Sequence, residues 1–524
     1  MALVLSSWRY LAARPRLSAV GLGLLAATGF QPLGLWPLSL AAMALFAALL
    51  AETPNAKRAA ALGWFFGLGH FTFGNNWIAA AFTHQAEMPA VLGWAAVPIL
   101  SLYLAIYPAL AAMGARVISR GGLSWTLAWA FAGCWTLSEL MRAMVFSGYT
   151  WNPFAMVLLG PFDRPGLAAI APWMGTYALS GIAVFVSAAL AVLVREQRRL
   201  VAILVAILLV IGMYLPAPAE REGKLQFTLV QPDLRQYRIS DPLYYEANYL
   251  RLAEFTHPRQ PGQPRLVLWP ESGLADYLEP GYPQRYYDRM TAFGDPVLAR
   301  YRIAQLIGPG SVLLTGAVEL KIGGGRAVGA YNSVSALDDQ GAILGSYDKA
   351  HLVPYGEYLP MREVLEPIGL SRLVPGSIDF IPGPGPRTLD LGALGKAGVQ
   401  VCYEIVFSGE VADRGNRPDF IFNPSNDGWF GSFGPPQHLA QARLRAIEEG
   451  LPVLRSTTTG ISAVIDQHGV VRHYLPMHKA GRIDGKIPLA ASPTPFARLG
   501  NALAIAWAMV FLALGYIASR RGRR

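Results

Sequence analysis

Cys402 ends the apolar run in KAGVQVCYEIVF (396–407) and is one of only two cysteines in 524 residues. With the acid Glu404 close behind it, the thiol has the setting of a nucleophile, because strand ends are where α/β sheets present their functional side chains. A free cysteine is also often a small buried hydrophobe. A nucleophilic thiol needs a base for its proton and a cation that favours the thiolate. Two other strand ends offer these. RLVLWPES (265–272) closes with Glu271, and GSYDKAHLVPYGEYLP (345–360) carries Lys349 after a strand and Glu357 eight residues later. Taken singly, Glu271 reads equally as a helix cap, and Lys349 with Glu357 as a solvated salt bridge. The three positions 271, 349 and 402 lie 78 and 53 residues apart, so only a fold can bring them together.

The rest of the chain says what kind of fold that is. Hydrophobic residues make up 53% and charged residues 15%, against about a quarter charged in a soluble globular protein. The formal charge of +10 is unevenly spread: residues 220–490 hold 27 Lys+Arg against 29 Asp+Glu, and the remainder holds 17 against 5. The excess therefore sits in the hydrophobic part, where basic loops orient membrane segments, and nucleic acid is not an expected partner. Apolar stretches cover roughly 17–30, 34–51, 59–82, 89–115, 123–145, 166–194, 200–216 and 497–519. Read as spans of about 20 residues, they give an α-helical bundle of about eight helices. Residues 1–219 form its first seven, 491–524 the last helix and a basic tail, and 220–490 a large insert.

Arginines and lysines at 9, 14, 16, 57, 58, 116, 120, 195, 198, 199, 520, 521, 523 and 524 then share one side, with little beyond Arg164 opposite. Both termini are expected in the cytoplasm and the insert outside it. Within the spans, Glu139 and Arg142 are three apart and read as a structural pair near a helix end, with a lipid-headgroup contact as the alternative. His70 reads as a bundle histidine, and Cys134, inside a span, as a poor disulfide partner for Cys402.

The insert alternates short β-rich runs with helical candidates at about 242–257, 284–306 and 435–449, the mark of an α/β or α+β domain. LDDQG and IDQHG read as hairpin turns. There is no phosphate-binding glycine loop and no Cys/His set with zinc spacing, so neither a metal nor a cofactor is expected.

Glu271 in WPES, Lys349 in YDKAHLVPYGEY and Cys402 in VCYE resemble the Glu-Lys-Cys triad of the nitrilase superfamily. NPSNDGWF, ARLRAIEEGLPVLRSTTTGISAVID and the hydrophobic flanks extend the resemblance over the whole chain, to the membrane-embedded apolipoprotein N-acyltransferase family. Two positions depart from that family's habit: Thr458 where Asn is common, and Tyr237 where Trp is common. The resemblance implies an αββα sandwich in the insert, a bacterial inner-membrane location with the sandwich in the periplasm, and a monomer.

It also implies acyl transfer from a phospholipid, phosphatidylethanolamine above all, to the α-amine of a diacylglyceryl-cysteine apolipoprotein. Glu271 would be the base, Cys402 the nucleophile, and Lys349 with the Tyr403 N–H the oxyanion donors. Glu357 would orient Lys349, and Glu404 would position the nucleophile loop. Apolar residues beside these motifs, Val364, Leu365, Ile368, Leu370 and Leu373 on one loop and Trp429, Phe430 and Phe433 on another, read as an acyl-chain entrance or as ordinary core; Tyr237 joins the lipid-binding candidates. Two other readings use the same residues. A membrane-anchored amidase would use water as its second nucleophile, and a transporter would carry a regulatory outer domain.

Overall fold

The computed structural model describes residues 11–84, 89–365, 367 and 379–521. Ile368, Leu370 and Leu373 lie outside them, as does the side chain of Leu365, which ends the short helix Arg362–Leu365. The chain forms two compact units, one of residues 1–79, 91–217 and 493–524, the other of 80–90 and 218–492.

Helices occupy all eight apolar stretches of the first unit: Pro15–Ala27, Trp36–Ala51, Ala56–Gly74, Leu92–Ser119, Trp125–Met144, Gly175–Arg195, Arg199–Met213 and Ala502–Arg521. Among the described residues, three are long and apolar enough to cross a membrane: Leu92–Ser119, Gly175–Arg195 and Ala502–Arg520. Polar caps set where helices begin. Asn55 accepts from the Arg58 N–H (3.0 Å) and Ser124 from the Leu127 N–H (3.3 Å), each satisfying an orphan helix donor. Glycines set how closely helices approach. A Cβ at Gly23 would stand 2.0 Å from the Phe66 carbonyl oxygen, and one at Gly69 2.2 Å from that of Val20, so the first and third helices meet backbone to backbone.

Three of the basic loops are tied to one another. Arg116 donates to the carbonyls of Thr53 (2.8 Å) and Pro54 (3.0 Å), Arg195 to that of Leu123 (2.8 Å), and the Gly122 N–H to that of Ala51 (3.1 Å). Glu139 and Arg142 are both buried. Glu139 Oε1 accepts from Trp135 Nε1 (2.9 Å) and the Phe154 N–H (2.8 Å), while Arg142 Nη1 donates to the carbonyls of Tyr149 (3.0 Å) and Trp151 (2.9 Å). The two side chains hold the 149–154 segment. His70 is packed among the rings of Phe30, Phe66, Phe71 and Phe154.

The second unit is built on two six-stranded sheets. The strands are β1 (Glu222–Gln231), β2 (Leu266–Leu268), β3 (Val312–Gly323), β4 (Arg326–Asp338), β5 (Ile343–Asp348), β6 (Thr388–Asp390), β7 (Lys396–Val399), β8 (Phe420–Ser425), β9 (Val453–Thr457), β10 (Ser462–Ile465), β11 (Val471–Leu475) and β12 (Gly481–Pro488). One sheet runs β12-β1-β2-β3-β4-β5 and the other β11-β10-β9-β8-β7-β6. Each has a parallel centre, β1/β2/β3 and β7/β8/β9, and antiparallel flanks. The two anticipated hairpin turns join β4 to β5 and β10 to β11, with Gly341 and Gly469 at φ 78 and 74.

The sheets meet at β1 and β9. Ser456 Oγ donates to the Val230 carbonyl (2.7 Å), and Gln231 Oε1 accepts from Thr457 Oγ1 (3.0 Å) and the Ser462 N–H (2.9 Å). The helices Tyr245–Thr256 and Pro296–Ile307 cover the first sheet over a core that includes Val230, Leu252, Trp269, Ile303 and Leu313. Gly434–Glu449 covers the second, which completes the helix–sheet–sheet–helix layering. The helix expected over 284–306 is broken into Gln284–Met290 and Pro296–Ile307. Asp295 caps the second piece by accepting from the Val297 N–H (2.7 Å), and Pro296 takes its first position, where a missing N–H costs nothing.

Candidate active site

Three strands lead to the residues singled out. β2 ends at Leu268, three residues before Glu271, β5 stops one residue before Lys349, and β7 ends at Val399, ahead of a 3-10 turn at Cys402–Val406. All three side chains are buried. Lys349 Nζ lies 2.9 Å from Glu357 Oε2, donates to Glu357 Oε1 (3.0 Å), and stands 3.7 Å from Glu271 Oε1. Burial opposes the charge on Lys349, but the carboxylates of Glu357 and Glu271 outweigh it and raise the ammonium above the ordinary lysine range. Cys402 feels the same cluster. Burial pushes its thiol up, the Glu271 charge adds to this, and Lys349 pulls the other way. A protonated thiol therefore faces a carboxylate and an ammonium.

Residues that the sequence did not flag hold this cluster in place. Asn332, on β4, donates from Nδ2 to Glu271 Oε1 and to Glu357 Oε1, both at 2.7 Å, while its carbonyl accepts from the Lys349 N–H (2.9 Å). The second oxygen of Glu271 accepts from the Asn426 N–H (2.8 Å). Asn426 is anchored in turn by Gln236 Oε1 (2.9 Å) and by the Thr458 hydroxyl (2.8 Å). Thr458, one of the two departures from family habit, thus acts one residue behind the carboxylate.

Cys402 sits at φ 52, the left-handed region that a side chain with a Cβ seldom adopts. Two supports maintain it. Glu404 Oε2 accepts from the Val401 N–H (2.7 Å), while its Oε1 accepts from Tyr347 Oη (2.8 Å) and the N–H groups of Ala350 (2.7 Å) and His351 (3.2 Å). Glu404 therefore clips the turn after β7 to the loop that carries Lys349; burial pushes its carboxyl up against these bonds and against the Lys349 charge.

On the other side, His438 Nε2 meets the Cys402 carbonyl at 3.0 Å, and His438 Nδ1 lies 3.0 Å from Arg455 Nη2. Burial, then Arg455, lowers the His438 pKa; its Nε2 faces a carbonyl and donates to it, while its Nδ1 also lies 3.1 Å from Asp427 Oδ1. Asp427, bound to Arg455 Nη2 at 2.7 Å, is opposed by burial but held down at about 2 by Arg455 and His438. Ligand atoms of Cys402, Asp427 and His438 lie within 4.8 Å of one another. The His438 N–H is spent on a carbonyl and Asp427 on a guanidinium, an arrangement that suits a brace for the nucleophile's backbone better than a cation cage.

Of the lipid-binding candidates, Phe430 is buried edge-on to His438 (5.6 Å between rings), and Trp429 is half-buried edge-on to His84 (5.9 Å). Tyr237 is exposed beside Tyr244, and Val364 is exposed as well.

A buried Glu/Lys/Cys constellation at the strand ends of a doubled sheet defines the class: a carbon-nitrogen hydrolase domain. The family model described as carbon-nitrogen hydrolase matches residues 234–491, and the one described as apolipoprotein N-acyltransferase N-terminal domain matches 22–189. The chain is 35% identical to the apolipoprotein N-acyltransferase of Rhodopseudomonas palustris, over 91% of this chain and 90% of that one. Those of Bradyrhizobium diazoefficiens and Brucella melitensis are 34% and 33% identical, over 84% and 83% of this chain and 82% and 81% of theirs. The chain belongs to the apolipoprotein N-acyltransferase family.

Proposed function

We propose that this protein moves an acyl chain from a phospholipid to the α-amine of a diacylglyceryl-cysteine apolipoprotein, through a thioester on Cys402. The observation that carries the reading is the buried Lys349 ammonium shared between Glu271 and Glu357 and acting on the thiol. Glu271 accepts the Sγ proton as the thiolate attacks the ester carbonyl carbon. The negative charge that develops on the carbonyl oxygen is met by Lys349 and the Tyr403 N–H, donors whose loss typically costs ~3–4 kcal/mol in such holes. Collapse expels the lysophospholipid alkoxide, which takes the proton back from Glu271, and leaves the thioester. The acceptor amine then attacks, and Glu271 accepts its proton and returns it to the departing Cys402 sulfur. Glu357 and Asn332 keep Lys349 and Glu271 in register, and Glu404 holds the nucleophile turn.

Membrane placement follows from the substrates, since drawing an acyl chain into water costs ~0.8 kcal/mol per CH₂. In this reading the eight apolar helices all span, both termini are cytoplasmic and residues 220–490 are periplasmic. The mutual ties among the loops near residues 53, 122 and 195 support it, because they gather basic residues at one end of the bundle. Phosphatidylethanolamine is the proposed donor, a monomer the proposed state, and the apolar loops around Trp429 and Leu365 the acyl entrance. Intact mass after incubation with phospholipid alone tests the chemistry. An acyl adduct on Cys402 with release of lysophospholipid is expected. Lysophospholipid that appears only when acceptor is present, with no adduct, would refute a covalent intermediate. Reporter fusions after Ala219 and Arg524 test the topology, and cytoplasmic activity after Ala219 would overturn it.

A further inference from the structure

A cavity of about 250 Å³ in the second unit is lined in part by Asp427, Arg235, Gln236, Tyr237, His478 and His84. Two of these residues connect it to the reaction centre. Gln236 holds Asn426, whose N–H holds Glu271, and a carboxylate oxygen of Asp427 lies within 4.8 Å of the Cys402 sulfur. The cavity's basic groups come from three segments far apart in sequence. Arg235 Nη1 lies 2.9 Å from His478 Nδ1 and donates to it, which leaves the proton of the neutral His478 ring on Nε2. His478 is fixed in turn by a bond from its backbone N–H to the Thr459 carbonyl (2.8 Å).

The negative groups nearby are unequal. Asp427 is compensated by Arg455. Asp233, beside Arg235, stands 3.6 Å from its Nε, beyond hydrogen-bond reach, and its Oδ1 has no hydrogen-bond partner among the described residues. The Arg235 charge is thus met by a long ion pair rather than a hydrogen-bonded one, at the wall of a cavity that His478 also lines. A guanidinium fork with a neighbouring N–H donor matches the oxygens of a phosphate ester.

We propose that this cavity seats the phosphodiester of the acyl donor's headgroup, with Arg235 as its anion-binding residue and His478 Nε2 as second donor. The assignment rests on the acyl-transfer reading above and adds to it the part of the substrate that does not react. Asp233 competes with the phosphate for Arg235.

The test uses the full chain in mixed micelles and follows acylation of Cys402 by mass. Two donors carry the same acyl chain, dioleoyl phosphatidylethanolamine and p-nitrophenyl oleate, which has no phosphate. In Arg235→Gln, the ratio of kcat/KM for the phospholipid to that for the p-nitrophenyl ester should fall at least tenfold. In Asp233→Asn the same ratio should rise; Asn tolerates the φ of 54 at this position, which keeps the test open if the arginine variant misfolds. An unchanged ratio in both variants would overturn the assignment. So would a defect confined to transfer from a preformed thioester to a diacylglyceryl lipopeptide, which would give the cavity to the acceptor. Wild-type protein that forms no adduct with either donor would sink the acyl-transfer reading and this assignment together. Adducts with an unmoved ratio would sink this assignment alone.

Discussion

Two buried sets of charges, one in each unit, both place carboxylates near a basic side chain and differ in what answers them. Glu139 and Arg142 spend their hydrogen bonds on an indole and on the backbone of residues 149–154. Glu271, Lys349 and Glu357 spend theirs largely on one another and on Asn332, with a thiol alongside. Backbone amides and carbonyls do not change protonation, so a charge with no titratable partner among its hydrogen bonds holds a shape. Titratable groups tied to one another can exchange a proton without leaving any member unpaired. The contrast separates architecture from chemistry better than burial does, because both sets are buried.

The largest effect expected is at the thiol. Cys402→Ala should abolish the acyl adduct and all transfer, and any residual adduct elsewhere on the chain would break the contrast at once. Glu271→Gln should lower the rate of adduct formation by about 10²–10⁴-fold, the usual worth of a positioned base, while the melting temperature stays close to wild type. Arg142→Ala should show the reverse pattern. Its loss leaves carbonyls at 149 and 151 without their donor and should cost roughly 3–5 kcal/mol of stability, with kcat unchanged in the molecules that remain folded. If Arg142→Ala instead removed activity without loss of stability, the bundle pair would belong with the catalytic set.

A pH experiment sharpens the same point. Because the Cys402 pKa is raised, the resting thiol is protonated at neutral pH. Its alkylation by iodoacetamide should therefore climb roughly tenfold per pH unit and reach no plateau by pH 9. A plateau below pH 8 would mean a standing thiolate and remove the need for Glu271 as base. The smallest effect is expected at the rim: Trp429→Asp should raise KM for phospholipid several-fold with little change in melting. A parallel fall in stability would return Trp429 to the core.

The catalytic candidates were legible in the sequence because each closes an apolar strand with a residue type that apolar strands seldom need. Their supports were not. Asn332 meets Glu271 from 61 residues away and Asn426 meets it from 155, and a lone polar residue within a strand or loop looks like any solvent-facing position. His438 and Arg455 were hidden similarly, one in an otherwise ordinary helix and the other in a strand. Among the elements, β12 escaped notice as an edge strand whose charged residues mask the apolar alternation. The break at 291–295 was written in GDP, a cap followed by a proline, but was overridden by the apolar pattern on either side. The i,i+3 spacing of Glu139 and Arg142 announced one helix face correctly. That each reaches for the 149–154 backbone required knowing where the chain returns.

The pairing of β1 with β12 has a consequence for the chain as a whole. Glu222 is in register with Pro488, and just outside that pair the Leu489 N–H bonds to the Arg221 carbonyl at 2.8 Å. The two points where the chain passes into and out of the doubled sheet are therefore stitched side by side. In polymer terms the large unit is a loop already closed at its neck, so neighbouring segments see two adjacent anchor points rather than a 270-residue detour. Lengthening or shortening anything between β1 and β12 leaves those anchor points where they are. Leu489→Pro, which removes that N–H, would loosen the neck while touching no residue near Cys402.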